Sequence, residues 1–143
     1  MSELSVINGS CLCGVVKVST TSTNNEVGAC HCGMCRKWGG SSLLVIECGS
    51  NISFEGEDNI GVYQSSEWAE RGFCKQCGSH LFYRLKQNNQ HYIPVGIFDN
   101  SAGLVFDHQI FIDEKPEFYS FANKTKNMTG EEVFAMFASL SEK

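Results

Sequence analysis

The chain has 143 residues, 16 acidic against 11 basic side chains, a net charge of -5 and eight cysteines. That is the size of one ordinary domain, long enough to bury a core of its own. The negative balance and scattered basic residues argue against an electrostatic grip on nucleic acid or an anionic membrane, and no apolar stretch approaches the roughly 20 residues that cross a bilayer.

The first residues, Met1 to Ser5, carry no basic start, apolar run or small-residue cleavage site, so the expectation is a soluble cytoplasmic chain rather than an exported one. A first cysteine pair, Cys11-Leu12-Cys13-Gly14, precedes a β-branched run at 15–20 that reads as a strand, with a polar turn at 21–25. The triplet Cys30-His31-Cys32-Gly33-Met34-Cys35 follows, and then Trp38-Gly39-Gly40, which has the make-up of a pocket wall with backbone room for a ligand, or of plain core. Residues 42–47 read as a strand ending at Cys48. Tyr63, Trp68 and Phe73 are candidates for the same cleft, but aromatics in a small β domain are mostly core, and they are read as such. The second pair, Cys74-Lys75-Gln76-Cys77-Gly78, leads into strands at 80–85 and 91–98 joined by a polar turn at 86–90. Near the end, Thr129 and Glu132 have capping-box spacing, and Val133, Met136, Phe137 and Leu140 fall on one face of a short helix. Strands dominate, and the fold class is mainly β.

Thiolates one or two residues apart can converge on one ion at about 2.3 Å, with a following glycine turning the backbone beneath it. A disulfide scaffold is the alternative, but it needs an oxidising compartment, for which nothing in the chain speaks. Cys30, Cys32 and Cys35 can supply three ligands to one metal, leaving Cys11 with Cys13 and Cys74 with Cys77 to form a closed set of four. Four cysteines saturate a zinc, whereas three leave a position for water or substrate. Exchanged pairings, such as Cys11 and Cys13 with Cys30 and Cys32, remain compatible with spacing alone, although they strand Cys35. Cys48 is read as a small buried hydrophobe, the common state of a free cysteine; the alternative, a fourth ligand, would close the open site. His31 is expected to hydrogen-bond or pack beside the metal rather than bind it, His80 could orient the Cys74/Cys77 knuckle, and Arg36 is the preferred counter-charge to the thiolates, a solvated arginine being the alternative.

Taken in order, Gly9-Ser10-Cys11-Leu12-Cys13-Gly14, Cys30-His31-Cys32-Gly33-Met34-Cys35-Arg36, Gly72-Phe73-Cys74-Lys75-Gln76-Cys77-Gly78-Ser79 and the late Gly96-Ile97-Phe98-Asp99 resemble the glutathione-dependent formaldehyde-activating enzyme family, also called the centromere protein V/GFA domain. The resemblance implies a single domain over 1–143, with a core at about 8–121 and a helical addition at about 129–141. It also implies an Mss4-like fold of twisted antiparallel sheets stapled by zinc, with a structural zinc on Cys11, Cys13, Cys74 and Cys77 and a catalytic zinc on Cys30, Cys32 and Cys35. The implied activity is that of a carbon–sulfur lyase, an S-(hydroxymethyl)glutathione synthase that adds the thiol of glutathione to formaldehyde or reverses the addition. The rival expectation, a non-catalytic protein-binding module of the same fold, keeps both metals structural. The fourth ligand of the second zinc separates the two: Cys48 or a histidine would favour the module.

Overall fold

The computed structural model describes residues 6–21 and 25–141, with no description of the side chains beyond Ala138. In chain order the elements are β1 (Ile7–Ser10), β2 (Lys17–Thr20), β3 (Glu26–Cys30), α1 (Gly33–Gly39), β4 (Leu43–Gly49), β5 (Ile52–Glu55), β6 (Ile60–Tyr63), β7 (Ala69–Cys74), β8 (His80–Leu85), β9 (Gln90–Pro94), β10 (Val105–Ile110), β11 (Lys126–Met128) and α2 (Gly130–Ser141). Short 3-10 turns occupy Glu57–Asn59, Val95–Ile97 and Ile112–Glu114. No helix among the described residues is long and apolar enough to cross a membrane.

Two compact units divide the chain. The first comprises Met1–Asn25 and Val45–Leu104. Within it β1, β2 and β5 form an antiparallel sheet in the order β1-β2-β5, with Val18 opposite both Gly9 and Phe54. Strands β4, β9, β8, β7 and β6 pair antiparallel in that order. Alternation along these strands sends one face inward, and Ile46, Ala69, Leu81 and Ile93 are each at most 1% exposed. His91 is buried beside them, its ring 5.4 Å from that of Phe82 and 6.1 Å from that of Phe54, and it donates from Nδ1 to the Asn89 carbonyl.

Cys48 falls where the β4/β9 register shifts, since Glu47 pairs with Tyr92 and Gly49 with His91. It is the extra residue of a bulge, buried, with its thiol 3.6 Å from the Ile46 carbonyl. Tyr63 and Trp68 depart from the expected core placement. They are 63% and 49% exposed, Tyr63 at the end of β6, the last strand of its run, and Trp68 in the connection from β6 to β7.

The second unit comprises Glu26–Leu44 and Val105–Lys143. Its strands pair parallel rather than antiparallel, in the order β11-β10-β3. Val27, Gly28, Ala29 and Cys30 are buried in succession, as expected for a strand covered on both faces. Helix α2 begins with a reciprocal capping box: Thr129 N–H donates to Glu132 Oε1 at 2.8 Å and Glu132 N–H to Thr129 Oγ1 at 3.2 Å. Asp113 accepts from Gly130 N–H at 2.8 Å, and Phe134 meets Phe111 edge-on, ring centres 5.6 Å apart. Of the predicted helix face, Val133 is buried and Phe137 half-buried, while Met136 is exposed; the side chain of Leu140 lies outside the described ones. The predicted turn at 86–90 is present, with Asn89 in the left-handed region; the turn at 21–25 falls largely outside the described residues.

Truncating a fully buried side chain should cost far more than losing a cap. Ile93→Ala is expected to destabilise by about 2–5 kcal/mol and Thr129→Ala by about 1 kcal/mol, each read from the shift in the urea unfolding midpoint.

Candidate metal centres

The first cysteine set is built from two tight turns of the first unit. Cys11 follows β1, and its turn closes through Gly14 N–H to the Cys11 carbonyl at 3.0 Å, with Gly14 at φ +82°. Cys74 ends β7, and its turn closes in the same way through Gly78 N–H to the Cys74 carbonyl at 2.8 Å, with Gly78 at φ +78°. Both positive φ values fall where only glycine turns without strain. Leu12 N–H donates to Ser79 Oγ at 3.0 Å and ties one turn to the other. The sulfurs of Cys11, Cys13, Cys74 and Cys77 then all lie within 4.8 Å of one another.

Their separations carry chemical information. Cys11 and Cys13 sulfurs are 3.6 Å apart and those of Cys13 and Cys74 3.8 Å apart, well beyond the ~2.05 Å of a disulfide. Four sulfurs at about 2.3 Å from a tetrahedral zinc stand about 3.8 Å from each other. All eight cysteines are free thiols.

Crowding drives these thiols apart in acidity. The Ser79 hydroxyl and N–H, with the Cys13 N–H, hold Cys77 down at about 5. For Cys13 the Val15 N–H pulls the other way, but burial and the neighbouring sulfurs push it up to about 11. Burial raises Cys11, and the Val16 N–H with the Cys13 and Cys74 sulfurs outweighs it, leaving that thiol lowered. Such a set sheds its remaining protons only when a cation offsets the mutual repulsion.

The second set lies wholly in the second unit, where β3 runs into α1. Cys30, Cys32 and Cys35 bring their sulfurs within 4.8 Å of one another. Cys32 is the N-cap of α1, its sulfur accepting the Cys35 N–H at 3.4 Å, so the first turn of the helix aims one sulfur and positions the next. Glu114 accepts from Gly33 N–H at 3.1 Å, and Gly40 closes the helix in the left-handed conformation. The Cys32 and Cys35 sulfurs push the Cys30 thiol far up, and burial adds to this. The donor chemistry of both sets fits a thiophilic divalent ion.

The remaining predicted residues are accounted for individually. Cys48 belongs to neither set. Burial, then Glu47, pushes its thiol up to about 12. His31 is fully buried, with Nδ1 2.7 Å from the Tyr119 hydroxyl and Nε2 2.7 Å from Gln109 Oε1. With both ring nitrogens occupied it is not a fourth donor. Arg36 sends its Nε to the His31 carbonyl at 2.9 Å, fastening the backbone between two cysteines. His80 opens β8 opposite Phe73, while contact with the Cys77 sulfur, at 3.2 Å, falls to Ser79. Gln109, Glu114, Ser79 and Tyr119 were not visible as site residues. Only Ser79 had a local signal, two positions after a cysteine.

These features define a β-rich protein whose cysteines form two thiol clusters able to hold metal ions. A sequence profile described as glutathione-dependent formaldehyde-activating enzyme matches residues 6–114, and the chain belongs to that family. It is similar to a Schizosaccharomyces pombe protein named an uncharacterized lyase, 36% identical over 126 residues that cover 87% of this chain and 92% of the relative. A Podospora anserina protein named a putative glutathione-dependent formaldehyde-activating enzyme is 28% identical over 122 residues, 79% of this chain and 53% of that longer relative. A crystal structure of a Rhodobacter sphaeroides protein shares the fold, with a TM-score of 0.58 at 24% identity over 65% of this chain and 88% of the other.

A thiol with its acidity pushed to about 12 stays protonated at pH 8. Cys48 is therefore expected to resist iodoacetamide in the folded protein and to react once urea unfolds it, as read by peptide mass mapping; rapid native alkylation would refute its burial.

Proposed function

We propose that this protein is a zinc-dependent carbon–sulfur lyase that joins a thiol, glutathione first among candidates, to formaldehyde or a related aldehyde, or reverses that addition. The observation that carries this reading is the difference in donor count: one cluster offers four sulfurs and the other three. A four-coordinate ion is saturated by the first and keeps one position open in the second. Cys11, Cys13, Cys74 and Cys77 would thus hold a structural zinc, and Cys30, Cys32 and Cys35 the catalytic one. The two residues that would have closed the second site are engaged elsewhere, Cys48 in a bulge and His31 in hydrogen bonds at both nitrogens. The names of the relatives point toward the same chemistry.

When bound at three thiolates, zinc supplies Lewis acidity that lowers the pKa of an incoming thiol. The addition balances without a redox partner. A carbon–sulfur bond forms at the carbonyl carbon, the C=O π pair moves to oxygen, and the proton lost by the thiol ends on that oxygen. The chain's own part is to hold three sulfurs in one place and to temper their charge. Arg36 and Lys115 both place positive charge close to His31, which separates two of the three cysteines. With a fourth thiolate the site would reach a net charge of -2, which those cations offset.

Cys32→Ser is expected to abolish aldehyde consumption in the presence of glutathione while leaving a folded chain with one tightly held zinc. Cys77→Ser should instead unfold the protein, since a structural site contributes folding free energy directly. Native mass spectrometry and thermal melting read both, and equal unfolding by the two substitutions would overturn the division of roles.

A further inference from the structure

His31 is held at four points. Its N–H donates to the Ile110 carbonyl at 3.2 Å and its own carbonyl accepts from Arg36 Nε at 2.9 Å. Its ring bridges Tyr119 and Gln109, each at 2.7 Å. Beyond Gln109 the chain of bonds continues, with Gln109 Nε2 donating to Thr125 Oγ1 at 2.9 Å and Thr125 Oγ1 to Asn127 Oδ1 at 2.6 Å. Both ring nitrogens thus have partners, and the ring is held in one orientation. Phe121 adds to the enclosure at a ring distance of 6.1 Å and itself meets Tyr119 edge-on.

So heavily anchored a residue, placed between two of three clustered cysteines, has no freedom to rotate its backbone. We propose that His31, through the bonds from Tyr119 and Gln109, is a positioning residue that sets the placement of the Cys30 and Cys32 sulfurs and thereby the affinity and ligand field of the three-sulfur site. The proposal rests on reading that cluster as a metal site. A peptide spacer without such anchors would let the sulfurs splay, because two of them hang from the residues on either side of it. Partners of this indirect kind typically change metal affinity by on the order of 10–100-fold when removed. Tyr119 and Gln109 stand 88 and 78 residues away in sequence, so the bonds also fasten the cysteine triplet to the far end of its own unit.

The experiment titrates the full-length apoprotein with Co2+, following the thiolate-to-metal charge-transfer band and the d–d bands, for the unsubstituted chain, His31→Phe and Tyr119→Phe. The expected result is two Co2+ per unsubstituted chain. Binding of the second should be weakened on the order of 10–100-fold in His31→Phe and less in Tyr119→Phe, with shifted d–d bands and the first site unchanged. Wild-type affinity and bands at the second site in both variants would overturn the proposal while leaving the metal-site reading intact. Should His31→Phe fail to fold, Tyr119→Phe decides alone by the same two readouts, since it removes one hydroxyl and keeps the ring. A single Co2+ in the unsubstituted chain would overturn the metal-site reading, and this proposal with it.

Discussion

Sulfur atoms brought within 4.8 Å of one another cannot all ionise unaided, and that repulsion is the constraint around which both units are arranged. In the first set the opposing shifts of Cys77 and Cys13 express it, one thiol held down by donors and the other pushed up by its neighbours. In the second it appears as the strong upward push on Cys30. A cation would remove the conflict by exchanging with the protons, and its binding would couple to folding. The surrounding structure then serves mainly to keep the sulfurs from relaxing apart.

The two sets accomplish this by different means. The first uses symmetry of construction: two glycine-closed turns from distant strands, joined by the Leu12–Ser79 bond. Each turn is locally determined, and together they enclose four donors. The second uses asymmetry, with one strand-to-helix junction supplying all three donors and the rest of its unit supplying the clamps. Cys32 serves twice there, as helix cap and as donor. A saturated site suits a staple, whereas a site with fewer donors and a stiffer backbone suits an exchangeable ligand.

What could be read from sequence was what is local. The strand at 80–85 coincides with β8, and the Thr129/Glu132 capping box is present because both halves sit within one turn. The grouping of Cys30, Cys32 and Cys35 was legible for the same reason, whereas spacing alone left open which distant pair joins Cys11 and Cys13. Strand β3 was not legible, since Gly28 and Ala29 carry little strand preference and their partner β10 lies far along the chain. Helix α1 was hidden by its brevity and by a cysteine standing where serine or aspartate usually caps. The exposure of Tyr63, on the strand that ends the sheet, and of Trp68, in the connection that follows it, depends on topology that residue type does not encode. The partners of His31 are too far along the chain for any window to reveal.

That distance also has a temporal meaning. His31, within the cysteine triplet, leaves the ribosome 78 residues before Gln109, an interval of about 4–16 s at ordinary elongation rates. Throughout it, the triplet lacks β10, the parallel neighbour of β3, and the groups that will grip His31. A nascent chain thus presents three adjacent soft donors to the cell before it owns the means to hold an ion among them. On the proposed reading of this cluster as a metal site, its metallation becomes a late event in biosynthesis, governed by when the C-terminal third arrives rather than by when the cysteines do.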